Sequence, residues 1–166
     1  IIFRDELEGE MPEVHPIGIS PKEVKHVLSK VRAVGGGSAP ESSLPAIMRA
    51  VDMLRETDPS IPRVFLHITD AMPHDPEAGH TARSVLDSLK QEQIIFFCCS
   101  PAEDPYRSFA NVTGGMLFPI ERKMDVKSFE GVLVDFAKAT AKTLRMSPGE
   151  IGDDVLKLLD NTVEGS

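Results

Sequence analysis

Apolar and polar positions follow two different periods along this chain of 166 residues, and the change of period predicts the order of its elements. Continuous apolar runs at 64–69 and 94–99, and a shorter one at 116–120, predict buried strands. Between and after these runs, apolar residues recur every three or four positions, which predicts amphipathic helices. Strand and helix therefore alternate from residue 64 onward. This alternation predicts an α/β fold with a mostly parallel sheet and helices on both faces.

The first sixty residues carry weaker strand signals and clear helix signals. Residues 1–3 have the pattern of a strand end. Residues 14–19 are a second strand candidate, and we expect this strand at the edge of the sheet because Pro16 cannot donate a ladder hydrogen bond. Ser20, Pro21 and Glu23 form a helix start with a capping box. A triglycine stretch at 35–37 ends that helix, and the next helix begins near Ser42 or Ser43.

Composition narrows the range of partners. The net charge of −8 and the pI near 5.1 argue against nucleic acid or an anionic membrane surface. No apolar run approaches the roughly 20 residues that a membrane span needs. Cys98 and Cys99 are neighbours within a strand, so their side chains point to opposite faces and a disulfide between them is not expected. They fit small buried side chains in a reducing compartment, which favours a cytoplasmic location.

Asp70 is the first candidate for chemistry, because it stands where the strand at 64–69 ends. In open α/β sheets, ligands bind in the crevice beyond the carboxyl ends of the strands. Ser38, Glu41, Ser42 and Asp70 are all hard oxygen donors of the type that Mg²⁺, Mn²⁺ or Ca²⁺ prefers. If the glycine loop packs beside the strand end, Glu41 and Asp70 can share one cation. The alternatives are that Asp70 only caps a turn and that both carboxylates are solvated.

The other motifs give weaker signals. The triglycine stretch follows a helix and has no Lys after it, so it does not fit a phosphate loop. His74, Asp75 and His80 offer zinc or acid–base chemistry, but their spacing fits a solvated loop better. His67 alternates inward on its strand and fits a core histidine. No catalytic constellation stands out, and the chain is not expected to be an enzyme.

Taken together, several segments resemble the von Willebrand factor A domain family, in particular the branch with a Gly-Gly-Gly-Asp-x-Pro-Glu loop and a Thr-Asp-Ala-Pro-Pro-His strand end. The likeness runs in the family's order over about residues 1–145. The segments that carry it are Phe3-Arg-Asp5, Gly35-Gly-Gly-Ser-Ala-Pro-Glu-Ser42, Phe65-Leu-His-Ile-Thr-Asp-Ala-Met-Pro-His74 and Phe109-Ala-Asn-Val-Thr-Gly-Gly115.

The resemblance implies a Rossmann-like sheet wrapped by helices. It also implies a protein-interaction module with a metal-ion-dependent adhesion site (MIDAS). In such a site a Mg²⁺ ion completes its shell with an acidic side chain of the partner protein. The resemblance implies that Asp70 and Glu41 are metal ligands. Ser38 stands where this branch has Asp, and Ala39 where a Thr often lies, so that arm of the site departs from the pattern.

The family's first strand, which ends in Asp-x-Ser-x-Ser and lies in the middle of the sheet, is missing from this sequence. We therefore expect a domain over 1–145 that lacks its central strand, with the strand cut off or supplied by another chain. Residues 146–166 are expected to form a helical extension. Two alternatives to a cation-dependent module remain: a metal-free scaffold domain in a larger assembly, and a hydrolase that uses Asp70 with His74 or His80.

Overall fold

The structure is a computed structural model that describes residues 1–3, 12–18, 20–30, 40–120 and 124–146. Within these residues, helices and strands alternate in the second half of the chain, as the hydrophobic pattern predicts. The helices are α1 (Pro21–Leu28), α2 (Ser43–Arg55), α3 (Ala82–Gln91), α4 (Tyr106–Thr113) and α5 (Val126–Met146), and the strands are β1 (Arg63–Ile68), β2 (Ile94–Ser100) and β3 (Leu117–Pro119). The predicted extension over 146–166 lies outside the described residues, apart from Met146 at the end of α5.

The three strands form one parallel sheet in the order β1-β2-β3. Phe65 of β1 is in register with Phe96 of β2, and Cys98 of β2 is in register with Leu117 of β3. Each strand of a parallel sheet must return through a crossover, and here α3 and α4 supply the two crossovers. The predicted α/β fold with a parallel sheet is confirmed.

Helices cover both faces of the sheet. On one face, α2, α3 and α4 pack against Phe96 and Cys98 in a fully buried cluster. On the opposite face, Phe136 of α5 makes edge contacts with Phe97 and Phe118, at ring-centroid distances of 5.6 and 6.1 Å. Because neighbouring residues of a strand point to opposite faces, the continuous apolar sequence of β2 supplies both layers.

The helix start predicted at Ser20 is present, and a side chain also caps α5. Ser20 and Glu23 form the capping box of α1, with Ser20 N donating to Glu23 Oε2 at 2.8 Å and Glu23 N donating to Ser20 Oγ at 3.3 Å. Asp125 caps α5 by accepting from Ser128 N at 2.9 Å. These local hydrogen bonds satisfy amide groups that have no partner inside a helix.

The N-terminal segment departs from the prediction. Residues 14–18 form no strand, and the segment is tied to Ile2 only by an isolated antiparallel bridge between Ile2 and Glu13. Two residues of pairing give too little hydrogen bonding to hold a strand that Pro16 already weakens. The prediction of a regular edge strand at 14–19 is wrong for the described residues.

An apolar cavity of about 300 Å³ lies between this N-terminal segment and β1. Its walls include Ile1, Ile2, Val64 and Phe65, together with Ala50 from α2. Among the described residues, β1 has a partner strand on one edge only, and the cavity lies against its side chains. The expectation that a central strand is missing stays a prediction.

The cavity gives a stability prediction. Ala50→Ile should raise the free energy of unfolding by about 1–2 kcal/mol, because its added carbons enter a space that is apolar and vacant. Urea unfolding monitored by circular dichroism measures the change. Ala46→Ile is the matched control, since Ala46 lies on the same helix, is buried and does not line the cavity; it should destabilise by overpacking. Equal effects of the two substitutions would contradict the prediction.

Candidate functional site

Asp70 lies directly after β1, and the backbone around it explains its exposure. Thr69 and Ala71 on either side are buried, whereas Asp70 is exposed. Ala71 N donates to Thr69 Oγ1 at 3.3 Å, so the chain turns as soon as the strand ends. Thr69 N still donates to Cys99 O at 3.0 Å, which fixes the start of this turn to β2. Asp70 is therefore a solvent-facing carboxylate on a well-anchored turn at the carboxyl edge of the sheet.

The Glu41 segment lies alongside the loop that follows Asp70. Glu41 N donates to Met72 O at 2.8 Å, and His74 N donates to Glu41 O at 3.2 Å. These two bonds form a short parallel bridge between Glu41 and Pro73. The main chain at Glu41 therefore pairs with the loop that follows β1. The triglycine stretch at 35–37 lies outside the described residues, so its own position beside the end of this strand stays a prediction. Ser38 lies outside the described residues.

A buried cluster of polar groups, formed by Tyr106, Ser43 and the Ala71 carbonyl, packs against this junction. The Tyr106 hydroxyl lies 2.8 Å from Ser43 Oγ and 3.2 Å from Ala71 O, so it links α4, the start of α2 and the loop after β1. Burial raises the pKa of Tyr106 well above its usual range, and the nearby Cys98 and Glu41 raise it further. The Glu41 carboxylate thus lies close enough to Tyr106 to act on it electrostatically.

Glu77 is the residue of this junction that the sequence interpretation missed. It is only 5% exposed, although it follows Asp75 and Pro76 in a loop that was expected to be solvated. Ser42 Oγ donates a hydrogen bond to Glu77 Oε1. Glu77 Oε2 is buried and has no hydrogen-bond partner among the described residues. The junction therefore contains a buried carboxylate, and its hydrogen-bond partner Ser42 is the residue that follows Glu41.

A tight turn brings Glu77 inward. Glu77 N donates to His80 O at 2.9 Å and His80 N donates to Glu77 O at 2.7 Å. The two residues between them, Ala78 and Gly79, have φ values of 48° and 79°. Positive φ at both central positions is the mark of a type I′ two-residue turn, for which glycine at the second position is favoured. The Glu-Ala-Gly-His sequence was the available signal for this turn.

The histidines fall into two groups. His67 is buried, as the alternation of β1 predicts, and it stacks on Phe3 with ring centroids 5.1 Å apart. His74 and His80 are half-buried, and Asp75 is exposed. Asp75 Oδ1 accepts from Ala82 N at 3.2 Å, so this carboxylate helps to start α3.

The two cysteines are free and buried. Burial raises the pKa of the Cys98 thiol to about 12 and that of Cys99 to about 11. A thiol with such a pKa is almost entirely protonated at neutral pH and is a poor nucleophile or metal ligand. This environment agrees with the prediction that both are small buried side chains.

No group of three or more His, Cys, Asp or Glu side chains in the described part of the chain is arranged to hold a metal ion. No helix there is long and apolar enough to cross a membrane. The roles of Asp70, Glu41 and Ser38 as metal ligands remain predictions.

The sheet and its helices define an α/β protein whose candidate binding edge lies at the carboxyl ends of β1 and β2. Mouse hemicentin-1 and human hemicentin-1 are each 28% identical to this chain over 122 residues, which covers 68% of the chain. The alignment spans about 2% of the length of these relatives. No family model matches the chain, and no solved structure matches it.

Proposed function

We propose that the chain is a protein-interaction module of the von Willebrand factor A type that binds its partner at the carboxyl edge of the sheet. The observation that carries the proposal is the hydrogen-bonded junction of the Glu41 segment with the loop after Asp70. The similarity to hemicentin-1 and the family-like segments support the same assignment.

We further propose that binding depends on Mg²⁺, or on Mn²⁺ or Ca²⁺ in its place, with Asp70, Glu41 and Ser38 as the ligands of this chain. The loops after β1 and β2 expose several carboxylates, among them Asp70, Asp75 and Glu103. Such a surface repels an acidic partner unless a cation lies between them. A cation held by Asp70 keeps open coordination positions that an acidic side chain of the partner fills.

Selection from a displayed peptide library in the presence of Mg²⁺ tests the proposal. We expect enriched peptides to contain Asp or Glu, and their affinity for the chain to fall at least tenfold in EDTA. Asp70→Asn should lower the affinity by a similar factor, because it removes the charge that holds the cation while keeping the shape of the side chain. Isothermal titration calorimetry measures both effects.

Asp87→Asn is the matched control, because Asp87 is exposed on α3 and its partner among the described residues is Arg83 of the same helix. It should leave peptide affinity unchanged. Peptides that bind equally well in EDTA and to Asp70→Asn would favour the second candidate, a metal-free scaffold domain. That candidate draws on the exposure of Asp70, whose carboxylate makes no hydrogen bond or ion pair with a described residue.

Hydrolysis by Asp70 with His74 or His80 stays a third hypothesis. It requires that either His→Ala substitution abolish turnover of a hydrolysable substrate. A cytoplasmic location likewise stays a prediction that depends on the unpaired, buried state of Cys98 and Cys99.

A further inference from the structure

The unpartnered oxygen of Glu77 is the feature of the junction that the proposed adhesion site does not use. A buried carboxylate oxygen without a donor is costly, because burial removes the water that would solvate its charge. Glu77 forms no ion pair with a described Lys, Arg or His, and its one described side-chain partner is the Ser42 hydroxyl. Of the two carboxylate oxygens of Glu77, Oε1 thus accepts a hydrogen bond and Oε2 has no donor among the described residues.

Ser42 is placed in an unusual way for a residue at a helix start. It is the N-cap residue of α2, yet its side chain makes no capping hydrogen bond. Its hydroxyl instead points to Glu77, on a loop 35 residues further along the chain. An N-cap serine normally accepts from an amide of the first helical turn, and that bond stabilises the helix. Ser42 thus makes a long-range hydrogen bond to Glu77 in place of a local bond that would stabilise α2.

Other oxygens lie around Ser43, the residue after Ser42. Ser43 is completely buried beside Ser42, and its Oγ lies 2.8 Å from the Tyr106 hydroxyl. The Ala71 carbonyl lies 3.2 Å from that same hydroxyl. Carboxylate, hydroxyl and carbonyl oxygens are the ligands of hard divalent cations, and Mg²⁺ often takes only one or two carboxylates and completes its shell with water.

We propose that Glu77 and Ser42 form a binding site for a hard divalent cation, Mg²⁺ or Ca²⁺, between the start of α2 and the hairpin after β1. This site is additional to the one proposed at Asp70. Glu77 Oε2 supplies the charge, and the Ser42 hydroxyl rotates to offer its oxygen to the ion. The bound cation connects the hairpin to α2 and stabilises the loop that presents Asp70.

Terbium luminescence tests the proposal, because the chain has one tyrosine and no tryptophan. Tyr106 is the sole side chain able to sensitise Tb³⁺ efficiently, and it touches Ser43 beside the proposed site. We expect tyrosine-sensitised emission from Tb³⁺ in the intact chain, and its loss on competition with Ca²⁺. Glu77→Gln should weaken Tb³⁺ binding at least tenfold, since glutamine keeps the acceptor for Ser42 but removes the charge. Ser42→Ala should weaken it to a smaller extent.

Glu103→Gln is the control for nonspecific attraction to the acidic surface, because Glu103 is an exposed carboxylate after β2. It should bind Tb³⁺ as the unaltered chain does. Unchanged Tb³⁺ affinity in a folded Glu77→Gln protein would overturn the proposal. If Glu77→Gln does not fold, amide NMR shifts of the unaltered chain decide: Mg²⁺ should shift Ser42 and Glu77 most, and no shift there at saturation would overturn it.

Asp70→Asn separates this site from the proposed adhesion function. Retained Tb³⁺ affinity in Asp70→Asn, together with lost peptide binding, supports two distinct roles. Lost Tb³⁺ affinity in Glu77→Gln with cation-independent peptide binding supports the Glu77 site and counts against the cation dependence of the adhesion function.

Discussion

Gly115→Ala is expected to destabilise the fold by about 3 kcal/mol or more, a large part of the 5–15 kcal/mol typical of a domain. A Cβ atom built on Gly115 would lie 1.9 Å from the carbonyl oxygen of Phe96 and 2.6 Å from its carbonyl carbon. These are backbone atoms of a central strand, so no side-chain rotation can relieve the contact. The sheet must open at this point or β3 must move away.

The close approach at Gly115 is what allows β3 to pair with β2. Gly115 N donates to Ala110 O at 2.9 Å at the end of α4, and Cys98 N donates to Met116 O at 3.1 Å one residue later. The chain passes directly from the helix end to the strand ladder, with no room for a side chain. If a side chain at Gly115 pushes β3 away, the pairing of Leu117 with Cys98 and the ring contact of Phe118 with Phe136 are weakened.

Urea unfolding of three glycine variants provides the measurement. Gly131→Ala lies in α5 with open space around its Cβ, and it should stabilise the protein by about 0.5–1 kcal/mol because alanine favours a helix. Gly114→Ala also meets no atoms, but its φ of 80° should cost about 1–2 kcal/mol. An unfolding midpoint for Gly115→Ala at or above that of Gly114→Ala would contradict the steric argument.

The strands and helices from β1 onward could be predicted because each has a local signal that the fold keeps. The apolar run of β2 is buried on both faces, as predicted, whereas β1 is mostly half-buried and its Ile68 is exposed. Asp125 caps the start of α5 with its own side chain. The segment at 14–18 had a strand-like composition, but strand formation depends on a partner. Its pairing extends only to the Ile2–Glu13 bridge, and no local pattern encodes that limit.

The candidate site was predictable only in part for a related reason. Asp70 is visible in the sequence because it follows an apolar run, and Glu41 because it follows a glycine loop. Glu77 has neither signal. Its burial results from a two-residue turn and a hydrogen bond to Ser42, a residue 35 positions away. The turn has a local signal in Ala78-Gly79, but the contact with Ser42 arises from tertiary packing and leaves no period or motif in the sequence.

His67→Phe is expected to remove a large part of the acid sensitivity of the fold. Burial lowers the pKa of His67 from 6.5 to about 3, so the folded state keeps this imidazole neutral. In the unfolded chain the pKa returns to about 6.5, and the side chain takes up a proton below that value. The contribution of neutral, buried His67 to the free energy of unfolding is therefore fully present above pH 6.5 and is lost as the pH falls toward 3. At pH 5 the loss amounts to about 2 kcal/mol.

The surroundings of His67 make the assignment of this pH effect clear. Its ring contacts are Phe3, Phe65, Phe96 and Tyr106, at centroid distances of 5.1 to 6.1 Å. Tyr106 is the one titratable group among them, and burial raises its pKa, so it stays neutral over the acid range. Nε2 of His67 has no hydrogen-bond partner among the described residues, so phenylalanine removes no polar contact there.

The measurement compares the free energies of unfolding of the unaltered chain and His67→Phe at pH 7.5 and pH 5. Other groups that titrate in this range act on both proteins alike, so the difference between the two pH slopes isolates His67. We expect the unaltered chain to lose about 2 kcal/mol more than the variant over this interval. His26→Gln, at an exposed position of α1, should keep the slope of the unaltered chain. Identical slopes for His67→Phe and the unaltered chain would contradict the prediction. They would mean that His67 is protonated in the folded protein at pH 5 and that its aromatic neighbours do not keep it neutral.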